Sequence, residues 1–178
     1  MLEKTKGKNV GKVLPFVRGL RFSALLIYAI REYLSGTDLT ASWGHILGKD
    51  EVYCSRECDI IIHKKGHVHK WNGTKKHIMD FRFIEASKVK AVISCKSLVR
   101  ASNIDKTYCD DMKKYVKRVW MFAECCSPRD AAVLNEKAKA LGFKDCFYMY
   151  TWTRKNGTIS KNDDGWVDFA KKIKKLSM

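Results

Sequence analysis

Two short apolar stretches constrain the fold of this chain more than any other feature. One reads Glu57-Cys58-Asp59-Ile60-Ile61-Ile62-His63 and the other Val89-Lys90-Ala91-Val92-Ile93-Ser94-Cys95-Lys96. Isoleucine and valine are stiff at χ1 and pack well on a pleated surface. Runs this short, apolar through the middle and closed by polar residues, predict strands inside a sheet rather than helices. No apolar run approaches the ~20 residues needed to span a bilayer. The longest, Ala24 to Ile30, lies between Arg21 and Arg31 and reads as part of a buried helix.

Around these strands the pattern alternates between helix and strand. Leu20, Ala24, Ile27 and Ile30 recur at helical spacing, so a helix is expected from Val13 or Val17 to Leu34, stopped by Ser35-Gly36. Thr37 to Glu51 reads as a loop or a short strand around Trp43. His67 to Trp71 is expected to return beside Glu57–His63 as a hairpin, and Phe81 to Ile84 is short and apolar. Ile104, Tyr108, Met112, Tyr115 and Val119 form one stripe, which predicts a long helix from a Ser102 or Asn103 cap to about Glu124. Pro128 opens a helix that Gly142 closes. Phe147 to Trp152 reads as a strand, Asn156-Gly157 as a turn, and Trp166 to Leu176 as a last helix. The expected fold class is α/β, a central mixed sheet of four to five strands flanked by helices. Residues 1–12, rich in lysine and glycine, read as a flexible basic arm, and 13–178 as one domain.

The charge balance points to a partner. Lys and Arg number 35 against 19 Asp and Glu, a formal charge of +16. A polyanion explains that excess, because each phosphate neutralised releases condensed counterions. Seven cysteines, an odd number without scaffold spacing, fit a reducing cytoplasm. No glycine-rich phosphate loop appears, so ATP use is not expected.

Chemistry enters with the ends of the two strands. Phosphodiester cleavage needs a hard cation on oxygen ligands and a positive group near the attacking water. Asp59 supplies the oxygen and Lys96 the point charge. Residues 94 and 96 share a strand face and should point together toward Asp59. A carboxylate early in one strand and x-Lys late in the next resembles the PD-(D/E)xK nuclease superfamily, over roughly Glu57 to Glu124. The resemblance implies a restriction-endonuclease-like fold and a Mg²⁺-dependent DNA endonuclease of restriction or defence type.

Position 94 is Ser where that pattern carries Asp or Glu. Ser94-Cys95-Lys96 is similar to the S-x-K variant of restriction endonucleases that cut sites containing CCGG. There the missing acid comes from the next helix, fourteen residues past the lysine. That spacing falls on Asp110, whereas the helical stripe favours its neighbour Asp111. The resemblance also implies metal ligation by Asp59 and by Asp110; Cys95 reads as a structural residue of a buried strand, with its main-chain carbonyl a further candidate ligand. Arg100, four past the lysine, stands where that branch keeps a base-reading arginine, although the acid and second arginine that follow there are absent. Lys113, Lys114, Lys117 and Arg118 are expected on the polar side of the long helix, touching phosphates of double-stranded DNA. Cutting both strands implies a homodimer.

Other readings stay beside this one. Glu57 shares the face of Asp59 as a further ligand, and Glu32 resembles a supporting helical acid. Cys54, Cys58, His63 and His67 have tolerable zinc spacing, but Cys58 and His63 fall on opposite faces of one strand. The serine at position 94 also fits a catalytically inactive nuclease-fold protein that only binds nucleic acid. A basic protein–protein module is the third alternative.

Overall fold

The computed structural model describes residues 15–48, 54–66, 68–70, 81–153, 155 and 157–177. The basic arm expected over residues 1–12 lies outside them. In chain order the elements are α1 (Pro15–Tyr33), β1 (Leu39–Leu47), β2 (Cys58–Lys64), β3 (Val68–Lys70), β4 (Phe81–Glu85), β5 (Val89–Val99), α2 (Lys106–Met112), β6 (Val119–Cys126), α3 (Pro128–Ala140), β7 (Asp145–Thr153), β8 (Thr158–Lys161) and α4 (Asp163–Lys174).

All eight strands join one mixed sheet in the order β3-β4-β1-β2-β5-β6-β7-β8. Strands β5, β6 and β7 run parallel, as do β1 and β4. The α/β class is as expected, with more strands than the four or five anticipated.

Period-two alternation on β2 builds a core on each face of the sheet. Ile60 and Ile62 join Ala91, Ile93, Trp120, Phe122 and Phe147 under α1 and α4, which contribute Phe22, Leu26, Ile30, Phe169 and Ile173. Ile61 joins Val92, Met121 and Ala123 on the opposite face, under Tyr108, Met112, Leu134 and Ala138 of α2 and α3. Both faces are covered, so β2 and β5 carry unbroken apolar runs.

Each later helix begins on a polar cap. Asp105 accepts a hydrogen bond from Tyr108 N at 2.9 Å, in place of the expected Ser102 or Asn103. Ser127 accepts from Asp130 N at 3.0 Å, with Pro128 in the first turn. Asn162 accepts from Gly165 N at 3.1 Å.

The long helix expected to reach Glu124 is not present. Helix α2 ends at Met112, and Val119–Cys126 is a central strand buried through its first five residues. Val119-Trp120-Met121-Phe122-Ala123 has no alternation because it packs on both faces, so one helical stripe ran through two elements. Residues Val68–Lys70 do form a strand, but it pairs with β4 rather than β2. The segment around Trp43 is a nine-residue strand, and Gly44 sits in it at φ +150°.

Candidate active site

Asp59 stands at a break in the sheet. Ser42 pairs with Ile61 and Gly44 with Cys58, so β1 advances two residues while β2 advances three. The extra residue is a β-bulge over Asp59 and Ile60. Such bulges bend a strand and re-aim a side chain. Its effect is visible in the neighbours: Cys58 packs on the α2 face and Ile60 on the α1 face, although they are two residues apart.

The pairing of β2 with β5 also stops here, its last pair being Ile60 with Ile93. Beyond it the carboxylate takes over from the backbone. Asp59 Oδ2 accepts a hydrogen bond from Cys95 N at 2.8 Å. Burial pushes the Asp59 carboxyl above its ordinary 3.8, against the opposing pull of the Cys95 N–H and the Lys96 charge. Glu57 adds a like charge and Arg56 an opposite one.

Lys96 is half-buried at the level of Ala123 on β6. It makes no salt bridge with any described residue, yet its charge acts on Asp59. An amine in that position is available to an incoming anion. Ser94 is 2% exposed and adds no charge.

The structure therefore brings together Asp59, the Cys95 backbone, Lys96 and Glu57. Asp111 lies close enough for its charge to act on the thiol of Cys58, next to Asp59 in the chain. Asp110 is exposed on α2, and Asp111 is held by Lys114 Nζ at 3.0 Å. Among the described residues, no group of three or more His, Cys, Asp or Glu is gathered for a metal ion. Mg²⁺ does not need such a cage, since one or two carboxylates with waters and substrate phosphate suffice. Asp59 and Glu57 supply oxygens of the kind that hard ion takes, and Glu57 Oε1 also accepts a hydrogen bond from Trp43 Nε1 at 2.8 Å.

The expected phosphate contacts are distributed differently from the sequence reading. Lys113, Lys114, Lys117 and Arg118 lie in the connection from α2 to β6, because the helix that was to carry them ends first. Val92 N donates to Arg118 O at 2.9 Å, so Arg118 sits four residues along β5 from Lys96. At the rise of a strand that is about 13 Å. Arg100 is exposed just beyond the end of β5.

The zinc reading is not supported by the residues that are described. His63 is buried against Ser42 Oγ at 2.8 Å, Cys58 Sγ meets Met112 Sδ at 3.3 Å, and Cys54 is exposed. His67 lies outside the described residues.

Tyr108 of α2 adds a group whose position the sequence did not disclose. It was legible only as one member of an apolar stripe. Its ring is 5% exposed beneath the Arg56 guanidinium, whose carbon lies 5.5 Å from the ring centroid. Its hydroxyl is buried with no hydrogen-bond partner among the described residues.

A cleft of about 610 Å³ opens beside Lys96 at the carboxyl ends of the parallel strands, lined by Ser97, Leu98, Glu124, Tyr150, Trp152 and Ile159. In parallel sheets this is the usual place for a ligand.

No protein-family model matches the chain, and no curated protein matches it in sequence. Solved structures do match it in fold. NucC from P. aeruginosa ATCC27853, in its cAAA-bound form, superposes with a TM-score of 0.61 at 12% identity, covering 96% of this chain and 83% of that one. NucC from E. coli MS115-1, cAAA-bound, gives 0.58 at 9% identity over 92% and 80%. The apo form of the E. coli protein gives 0.50 at 10% identity over 89% and 92%. The chain shares the fold of these NucC structures. At these identities the likeness is one of fold, and it carries no residue roles across.

Proposed function

We propose that this chain is a divalent-metal-dependent DNA endonuclease of restriction or defence type. The observation that carries the reading is the meeting of Asp59 with the Cys95–Lys96 backbone at a β-bulge, on a fold shared with nucleases of the PD-(D/E)xK kind.

In this mechanism Asp59, Glu57 and the main-chain carbonyl of Cys95 hold Mg²⁺. Glu57 is preferred to Asp110 and Asp111 as second acid because its charge acts on Asp59 itself, whereas that of Asp111 acts on the neighbouring Cys58 and is paired with Lys114. The cation, when bound, supplies Lewis acidity at the scissile phosphate and lowers the pKa of a bound water. The chain's own residues do the rest. The Cys95 N–H fixes the Asp59 carboxylate in direction. Lys96, which pairs with no described residue, places its ammonium where the attacking water and the developing phosphorane charge meet. Arg100, Lys113, Lys117 and Arg118 hold the duplex by its phosphates, and Arg100 is also the candidate for a base edge. Double-strand cutting places two such centres in a homodimer.

Ser94 favours a second reading, in which the chain binds DNA and does not cut it. A supercoiled plasmid separates the two. The nuclease reading predicts nicked and linear products with Mg²⁺, none with excess chelator, and none with Lys96→Met. Retention of an intact plasmid at low salt, with Mg²⁺ or Mn²⁺ present, establishes the binding-only reading instead.

A further inference from the structure

Tyr108 carries an inference that rests on the nuclease reading and extends it. Its phenol is buried, and its hydroxyl is one of two buried side-chain polar atoms without a hydrogen-bond partner among the described residues. A native protein rarely retains such a group without a use for it.

The position of the hydroxyl narrows the cause. Tyr108 and Met112 are four residues apart on α2 and share one face. Met112 Sδ touches Cys58 Sγ at 3.3 Å, so this face lies against the residue next to Asp59. The group closest in effect to the hydroxyl is the Cys58 thiol, a weak sulfur acceptor that satisfies an O–H poorly, and Asp59 and Cys95 are both within its electrostatic reach. Asp59 uses Oδ2 for the Cys95 N–H and has no other hydrogen bond to a described residue. A buried donor with at best a sulfur acceptor therefore lies within electrostatic reach of a carboxylate with acceptor capacity to spare.

We propose that Tyr108 is a positioning residue for the Asp59 centre, its hydroxyl donating a hydrogen bond to the Asp59 carboxylate when that carboxylate holds a divalent cation. Ligating carboxylates are commonly oriented by such outer partners. Burial keeps the phenol protonated, pushed well above its ordinary range, so it remains a donor at every working pH. Arg56 closes over the ring from one side and is itself held by Asp105 at 3.8 Å, which leaves the ring little freedom.

The test uses the whole chain as wild type, Tyr108→Phe and Met112→Leu. Metal-free Tyr108→Phe should melt at or above the wild-type temperature, because it deletes an unsatisfied buried group and keeps the ring. Calorimetric titration with Mn²⁺ alone should show affinity reduced about 10–100-fold in Tyr108→Phe. Met112→Leu, a packing control on the same face, should stay within about twofold of wild type. A lowered melting temperature for Tyr108→Phe overturns the proposal, since the hydroxyl then has a protein partner. Unchanged Mn²⁺ affinity in Tyr108→Phe overturns it while leaving the nuclease reading intact. Equal weakening in Met112→Leu assigns the effect to packing and also overturns it. Absence of Mn²⁺ binding by the wild type removes this proposal and the metal-dependent reading together.

Discussion

Replacing Asp59 in two ways separates its charge from its hydrogen bond. Asn keeps an oxygen for the Cys95 N–H and removes the charge. Ala removes both and leaves the N–H of a buried residue without its acceptor. An unsatisfied buried donor costs about 1–3 kcal/mol. Asp59→Ala should therefore lie about 2 kcal/mol below Asp59→Asn, or roughly 4–8 °C in melting temperature for a chain of this size. The sign against wild type follows from linkage. Burial raises the folded-state pKa of Asp59 above 3.8. The folded protein thus keeps a proton that the unfolded chain has already released. The stability this contributes is complete below 3.8 and is lost as pH rises through the folded pKa. Metal-free Asp59→Asn should then be more stable than wild type at neutral pH, with the gain disappearing at acid pH. Urea melts of the three proteins at pH 7.5 and pH 4, in chelator, read all of this. An Asp59→Ala variant as stable as Asp59→Asn would show that the carboxylate does not hold β5, and the geometry of the centre would have to be redrawn.

Three more outcomes follow from named contacts. Lys96→Met should leave the melting temperature within a few degrees of wild type, since Lys96 pairs with no described residue, while single-turnover cleavage falls about 10²–10³-fold. Gly44→Ala should destabilise the fold by about 2–5 kcal/mol in urea unfolding. Its φ is +150°, and a Cβ there would come within 1.8 Å of Arg82 O, so β4 must move away from β1 opposite the Asp59 bulge. In native thiol titration with a disulfide reagent, exposed Cys54 should react first. Cys58 and Cys126, both buried with thiols pushed up to about 12, should react only on unfolding.

The sequence disclosed the centre of the sheet more readily than its edges. Ile60 to Ile62 and Val89 to Lys96 were legible because strands covered on both faces are apolar throughout. The same property hid β6. Its run from Val119 to Ala123 continued, at helical spacing, the stripe begun by Tyr108 and Met112, and no glycine or proline intervened to mark the change of period. Strand β8 is exposed at all four positions and carries no hydrophobic pattern to find. At the site, Asp59 and Lys96 were legible because a carboxylate and an amine at the ends of apolar strands need a reason to be there. The bulge was not legible, because it depends on how β1 and β2 register across the whole pair. Nor was the engagement of Asp111 by Lys114, since Lys114 was expected on the polar face of a longer helix and lies instead just past the end of α2.

Single-turnover cleavage of a labelled duplex by wild type, Asp59→Asn, Lys96→Met and the double variant asks whether carboxylate and amine serve one reacting phosphate. Groups that act as a unit lose their effect together. The account predicts Mg²⁺-dependent cutting by wild type and a double variant no slower than the slower single one. Losses that multiply in the double variant, or cutting that survives Asp59→Asn, would contradict it.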